Sequence, residues 1–211
     1  MEASAQDSDT PKQARRRWGL LLVLFLVGSA GLQYYAHRLQ ASLNGEEPRQ
    51  SSLHNQAAPE FSLEVLEAAP ADRAQALPRQ ISLADHRGKV VLLSFWASWC
   101  RPCDYELPVL NQFYLANRER GVAVLAISTD TDRQAALRYA QERRLELPML
   151  WDQDGSVADS YQVRSLPTLV VIDPQGRVRQ VERGLRYDME SWLRRQVRQL
   201  QPDAPPAAGG S

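Results

Sequence analysis

An α/β fold, with a central mixed sheet flanked by helices, is predicted by three features of this 211-residue sequence. Val90–Trp96, Val122–Ile127 and Thr168–Ile172 are apolar almost throughout, as strands buried on both faces are. Segments with apolar residues at helical spacing alternate with those strands, which implies parallel pairing. Shorter strand-like runs at either end of the region, each marked by turn residues, imply antiparallel hairpins.

Taken in order, Phe61–Leu66 and Gln80–Leu83 read as the two strands of an N-terminal hairpin. The loop 68–78 joins them and a turn at 85–89 follows, rich in the residues that punctuate chains. After the strand 90–96, a helix over 101–119 is expected, bent at Pro108. The strand 122–127 leads into Thr129-Asp130-Thr131-Asp132, which supplies N-cap chemistry for a helix at 132–144. An extended segment at 147–151, a turn at 152–155 and a helix near 156–162 precede the strand 168–172. The turn Asp173-Pro-Gln-Gly176 pairs that strand with 177–183. A last helix at 187–200 puts Leu193, Val197 and Leu200 on one face.

Five segments divide the chain. Residues 1–17 are polar and end in Arg15-Arg16-Arg17; 18–36 form an apolar run close to the ~20 residues that span a bilayer. Basic residues before that run and aromatics at both ends predict a single-pass anchor in the inner (cytoplasmic) membrane, with everything beyond it on the periplasmic or other extracytoplasmic side. Gly28-Ser29-Ala30 leaves open a cleaved signal peptide instead. Residues 37–57 read as a tether, 58–201 as one domain and 202–211 as a disordered tail. With 25 acidic and 25 basic residues, no basic field points to nucleic acid.

The chemistry is concentrated at Trp99-Cys100-Arg101-Pro102-Cys103, which holds the only two cysteines. A Cys-x-x-Cys pair between a strand and a helix can close and reopen a disulfide, and the first helical turn stabilises the thiolate that reacts. Cys100, at N-cap or N1, is the expected exposed nucleophile, and Cys103 the less accessible thiol that resolves the mixed disulfide. Pro102 suits a first turn, and Arg101 adds charge that favours thiolate. Zinc would need four ligands, and the remaining candidates His37, His54 and His86 lack ligand spacing. An inert bridge over so short a loop would constrain the unfolded chain little. Glu106 lies one helical turn beyond Cys103 on the same face, a candidate acid–base group. Trp96 and Trp99 are expected to wall the site.

Phe95-Trp96-Ala97-Ser98-Trp99-Cys100-Arg101-Pro102-Cys103, Glu106, Pro108, Leu166-Pro167-Thr168 and Asp173-Pro-Gln-Gly-Arg177 together resemble the membrane-anchored, thioredoxin-like TlpA/ResA/CcmG (DsbE) group over about 58–200. The resemblance implies a thioredoxin fold with an N-terminal β-hairpin and a βα insertion at 122–151. It implies a cis bond before Pro167, whose Leu166-Pro167 backbone would hold an incoming peptide beside the cysteines. Ser94 stands where thioredoxin carries a buried aspartate, which leaves Glu106 as the proton carrier.

Function by resemblance is reduction of disulfides in partner proteins, with no bound cofactor or metal beyond the Cys100–Cys103 pair. Implied partners are apocytochrome c or copper-site proteins of cytochrome oxidase assembly, with electrons from a membrane thiol transporter of the DsbD or CcdA kind. Rival uses of the same cysteines are disulfide donation, copper(I) carriage between two thiolates, and peroxide reduction. The Pro-x-x-x-Thr-x-x-Cys approach of peroxiredoxin-like sites is absent.

Overall fold

The computed structural model describes residues 28, 29, 31–36, 51–66 and 78–201. The folded unit carries strands β1 (Ser62–Val65), β2 (Gln80–Ser82), β3 (Val90–Trp96), β4 (Val122–Ser128), β5 (Met149–Trp151), β6 (Thr168–Ile172) and β7 (Val178–Arg183). Its helices are α1 (Cys103–Asn117), α2 (Arg133–Glu142), α3 (Ser156–Ser160) and α4 (Met189–Leu200), with a 3₁₀ turn at Leu83–His86.

The strands form one mixed sheet in the order β2-β1-β5-β4-β3-β6-β7. β3, β4 and β5 pair in parallel, while β1–β2 and β6–β7 are antiparallel hairpins. β6 also runs antiparallel to β3, although a helix precedes it; alternation alone implied a parallel neighbour there. That reversal brings the start of β6 to the end of β3, with Thr168 opposite Phe95.

All seven residues of β3 are buried, and their alternation feeds two cores. Leu92 and Trp96 pack with Leu107, Leu110, Tyr139 and Trp192 on one face. Val91, Leu93 and Phe95 pack with Phe61, Leu83, Ile127 and Tyr161 on the other. Each such Leu, Val or Phe contributes about 1.5–3 kcal/mol of burial, so the strand carrying the cysteines is held from both sides.

Three boundaries differ from expectation for local reasons. Leu83 leaves the hairpin for the 3₁₀ turn, because the Asp85 carboxylate accepts both the N–H and the Oγ–H of Ser82, at 2.8 and 2.7 Å. Residues 51–57, placed in the tether by their polarity, pack on the fold instead. Asn55 N–H donates to Val178 O, Val178 N–H donates to Gln56 O, and Leu53 is buried. Asp132, not its neighbours, caps α2, accepting from Gln134 N–H at 2.9 Å.

The expected single-pass placement in the inner membrane is not supported. Among the described residues no helix is long and apolar enough to cross a membrane. The rest of the expected anchor at 18–27 and 30, the segment 1–17, residues 37–50, the loop 67–77 and the tail 202–211 lie outside the described residues.

Candidate active site

β3 ends at Trp96 in the middle of the sheet, and the chain then turns through Ala97–Pro102 into α1. Cys100 and Cys103 form a disulfide with Cα atoms 5.4 Å apart. The α-helix begins at Cys103, so Cys100 is not its N-cap or N1 residue as expected. Three i→i+3 hydrogen bonds carry the helical path back instead, from Cys103 N–H to Cys100 O, Asp104 N–H to Arg101 O and Tyr105 N–H to Pro102 O. Proline at 102 costs nothing in such a turn, since its missing N–H has no acceptor waiting. Cys100 keeps 5% of its surface and Cys103 none, so the expected exposed nucleophile is largely enclosed while remaining the more accessible of the two.

One helical turn after Cys103 lies a buried acid. Glu106, 1% exposed, is held by one hydrogen bond, from Ser94 Oγ–H to Oε1 at 2.8 Å. Its Oε2 is buried without a partner among the described residues. Burial raises the Glu106 carboxyl to about 7; the Ser94 hydrogen bond opposes the rise and the charge of Glu182 adds to it. The register explains that pairing, because Ser94, Leu169 and Glu182 are successive cross-strand partners on β3, β6 and β7. Glu182 is itself paired with Arg186 at 3.2 Å.

A second buried carboxylate supports the cysteine turn, and sequence reasoning missed its role. Asp130 accepts from Ser98 N–H (2.8 Å), Ser98 Oγ–H (2.7 Å) and Ser128 Oγ–H (2.8 Å). Its carbonyl accepts from Trp151 Nε1–H at 2.7 Å. Within Thr129-Asp130-Thr131-Asp132 any of the four residues reads as a cap. Only the parallel register placing Trp96 beside Ser128 shows that Asp130 reaches the loop before Cys100.

The two tryptophans have separate roles. Trp96 is fully buried and stacks on Tyr139, centroids 4.8 Å apart, in the same core as both cysteines. Tyr139 is fixed in turn, donating to Asp104 at 2.8 Å under the Arg143 guanidinium. Trp99 is 72% exposed and Arg101 and Pro102 are exposed beside it. The Leu166–Pro167 bond is cis. Pro167 O accepts from Gly184 N–H at 2.8 Å, whereas Leu166 N–H and C=O make no hydrogen bond among the described residues. No group of His, Cys, Asp and Glu among the described residues is arranged to hold a metal.

The AhpC/TSA family pattern matches residues 54–181, which spans both the cysteine turn and the cis-proline strand. The chain belongs to the AhpC/TSA family. Within it, the chain is 30% identical over 186 residues to the thiol-disulfide oxidoreductase ResA of Bacillus thuringiensis subsp. konkukian, covering 87% of this chain and 98% of that one. A structure reported as a thiol:disulfide interchange protein DsbE from Chlorobium tepidum superposes with a TM-score of 0.60 at 28% identity, over 68% of this chain and 94% of that one. StoA from Bacillus subtilis, 22% identical with a TM-score of 0.53 over 64% of this chain and 97% of that one, shares the fold. These likenesses make the protein a thiol-disulfide oxidoreductase of thioredoxin fold, with the Cys100–Cys103 pair as its redox group.

Proposed function

We propose that the protein is a disulfide reductase in which Cys100 attacks, Cys103 resolves and Glu106 carries the proton to and from Cys103. The observation that carries this reading is a redox disulfide one helical turn from a buried carboxyl with one oxygen unpartnered among the described residues. In the reduced protein the Cys100 thiolate attacks one sulfur of a partner disulfide, forming a mixed disulfide and expelling one partner thiolate. Cys103 then gives its proton to Glu106 and attacks Cys100 Sγ, closing the intrachain disulfide and releasing the second partner sulfur. One disulfide and two thiols enter and the same leave, with two electrons passing to the partner. A dithiol donor restores the reduced state, and the return proton passes from Glu106 to Cys103.

A carboxyl with a midpoint near 7 suits both directions, since it is half-protonated near neutrality. The free N–H and C=O of Leu166 supply a strand-like seat for the target segment beside the cysteines. Disulfide-bearing apocytochrome c or copper-site proteins are the partners proposed, and a transporter of the DsbD or CcdA kind the electron donor. Both are drawn from the resemblance to the ResA and DsbE proteins.

The test is single-turnover reduction of a disulfide peptide by the dithiol form, together with Cys103→Ser. Stoichiometric peptide thiol is expected from the unaltered protein, and a stable mixed disulfide on Cys100 from the variant. Absence of both peptide thiol and adduct would overturn the reading.

A further inference from the structure

The entrance to the disulfide carries charge and aromatic surface that the reaction itself does not use. Trp99, Tyr105 and Tyr187 are 72%, 69% and 98% exposed, among the most exposed large hydrophobic residues described. Trp99 and Tyr105 flank the two cysteines in sequence. Tyr187 follows Gly184, whose N–H is bonded to Pro167 O, so its segment borders the cis-proline.

Two exposed arginines lie beside this entrance. Arg101 lies between the cysteines and Arg164 two residues before Leu166. No ion pair or hydrogen bond occupies either guanidinium group among the described residues.

The acids around the same edge are all engaged. Glu106 and Asp130 are buried. Asp104 is held by Arg143 and Tyr139, Glu182 by Arg186, and Asp188 by Arg186 and Arg195. The rim therefore presents uncompensated positive charge although the whole chain has none.

We propose that this basic, aromatic rim selects target cysteines flanked by aspartate or glutamate in an extended segment of a disulfide-bearing protein. The proposal rests on the reductase reading and names the substrate class of that same site. Extended chain is the occupant because the free Leu166 backbone groups offer strand pairing, and acidic chain because charge complementarity raises encounter rates and disfavours basic competitors.

The experiment uses the full chain in its dithiol form and four probes. Three are peptides with the same internal disulfide, flanked by Asp/Glu, by Ser or by Lys; the fourth is the small neutral hydroxyethyl disulfide. At low ionic strength the acidic peptide is expected to be reduced about tenfold faster than the serine peptide, and the lysine peptide slowest. The differences should collapse in about 1 M salt, where the screening length is near 3 Å. The variant Arg164→Glu should remove the preference for the acidic peptide. Equal rates for all three peptides with the unaltered protein, with hydroxyethyl disulfide still reduced, would overturn the rim and leave the reductase standing. Failure to reduce any of the four would remove the reductase reading, and the rim with it. If the variant does not fold, the salt dependence of the unaltered protein decides alone.

Discussion

Two carboxylates are buried around one disulfide, and they are treated in opposite ways. Asp130 accepts three hydrogen bonds, two of them from Ser98, and has both oxygens engaged. Glu106 accepts one and leaves Oε2 unpartnered. Burying a charge is costly unless hydrogen bonds replace the water it loses. Asp130 is thus built as a fixed strut for the loop before Cys100. Glu106 is built to give up its charge, which its rise to about 7 expresses. In the proposed mechanism, positioning falls to Asp130, which the sequence did not single out, and proton transfer to Glu106, which it did.

The largest expected effect is kinetic. Glu106→Gln should slow closure of the mixed disulfide by roughly 10²- to 10⁴-fold, the usual contribution of a placed general base. The first attack by Cys100 should change far less. Rapid-quench measurement of both steps checks this, and equal slowing of both would erase the distinction between the two acids.

Stability should show the next effect. The Glu106 midpoint is raised from 4.5 unfolded to about 7 folded, so the folded state holds the proton longer. Its contribution is fully present below pH 4.5, is lost as pH rises through 7, and is constant above. The loss is on the order of 3 kcal/mol for the oxidised protein. Urea unfolding against pH should show that decline, and Glu106→Gln should remove it.

Asp130→Ala should cost about 2 kcal/mol, because it strands the Ser98 N–H and two hydroxyls. Thermal unfolding of the variant beside the unaltered protein checks this loss.

Smallest of all, Glu182→Gln should lower the Glu106 midpoint slightly, since removing a nearby negative charge favours ionisation; carboxyl titration of the variant checks the direction. The partial solvation of Glu182 and its pairing with Arg186 keep the effect small.

The parts legible in the sequence were those that neighbours in the chain define. Cys100, Pro102, Cys103 and Glu106 share one turn and the helix after it, so helical spacing alone places Glu106 on the face of Cys103. The fully buried strands announced themselves through β3, β4 and β6. What spacing could not reach were relations made by strand register. Asp130 meets Ser98 only because β4 lies parallel to β3, and Glu182 meets Glu106 only because β6 reverses direction against β3. The 3₁₀ turn after β2 was hidden because one carboxylate, Asp85, decides it.

The most direct measurement is the titration of Glu106 itself in the oxidised protein. Isotope-edited infrared spectra of the glutamate carboxyl stretch, differenced against Glu106→Gln, isolate its protonated band. A midpoint of about 7 is predicted. A midpoint near 4.5 would mean an ordinary solvated carboxylate and would contradict its role as the proton carrier for Cys103.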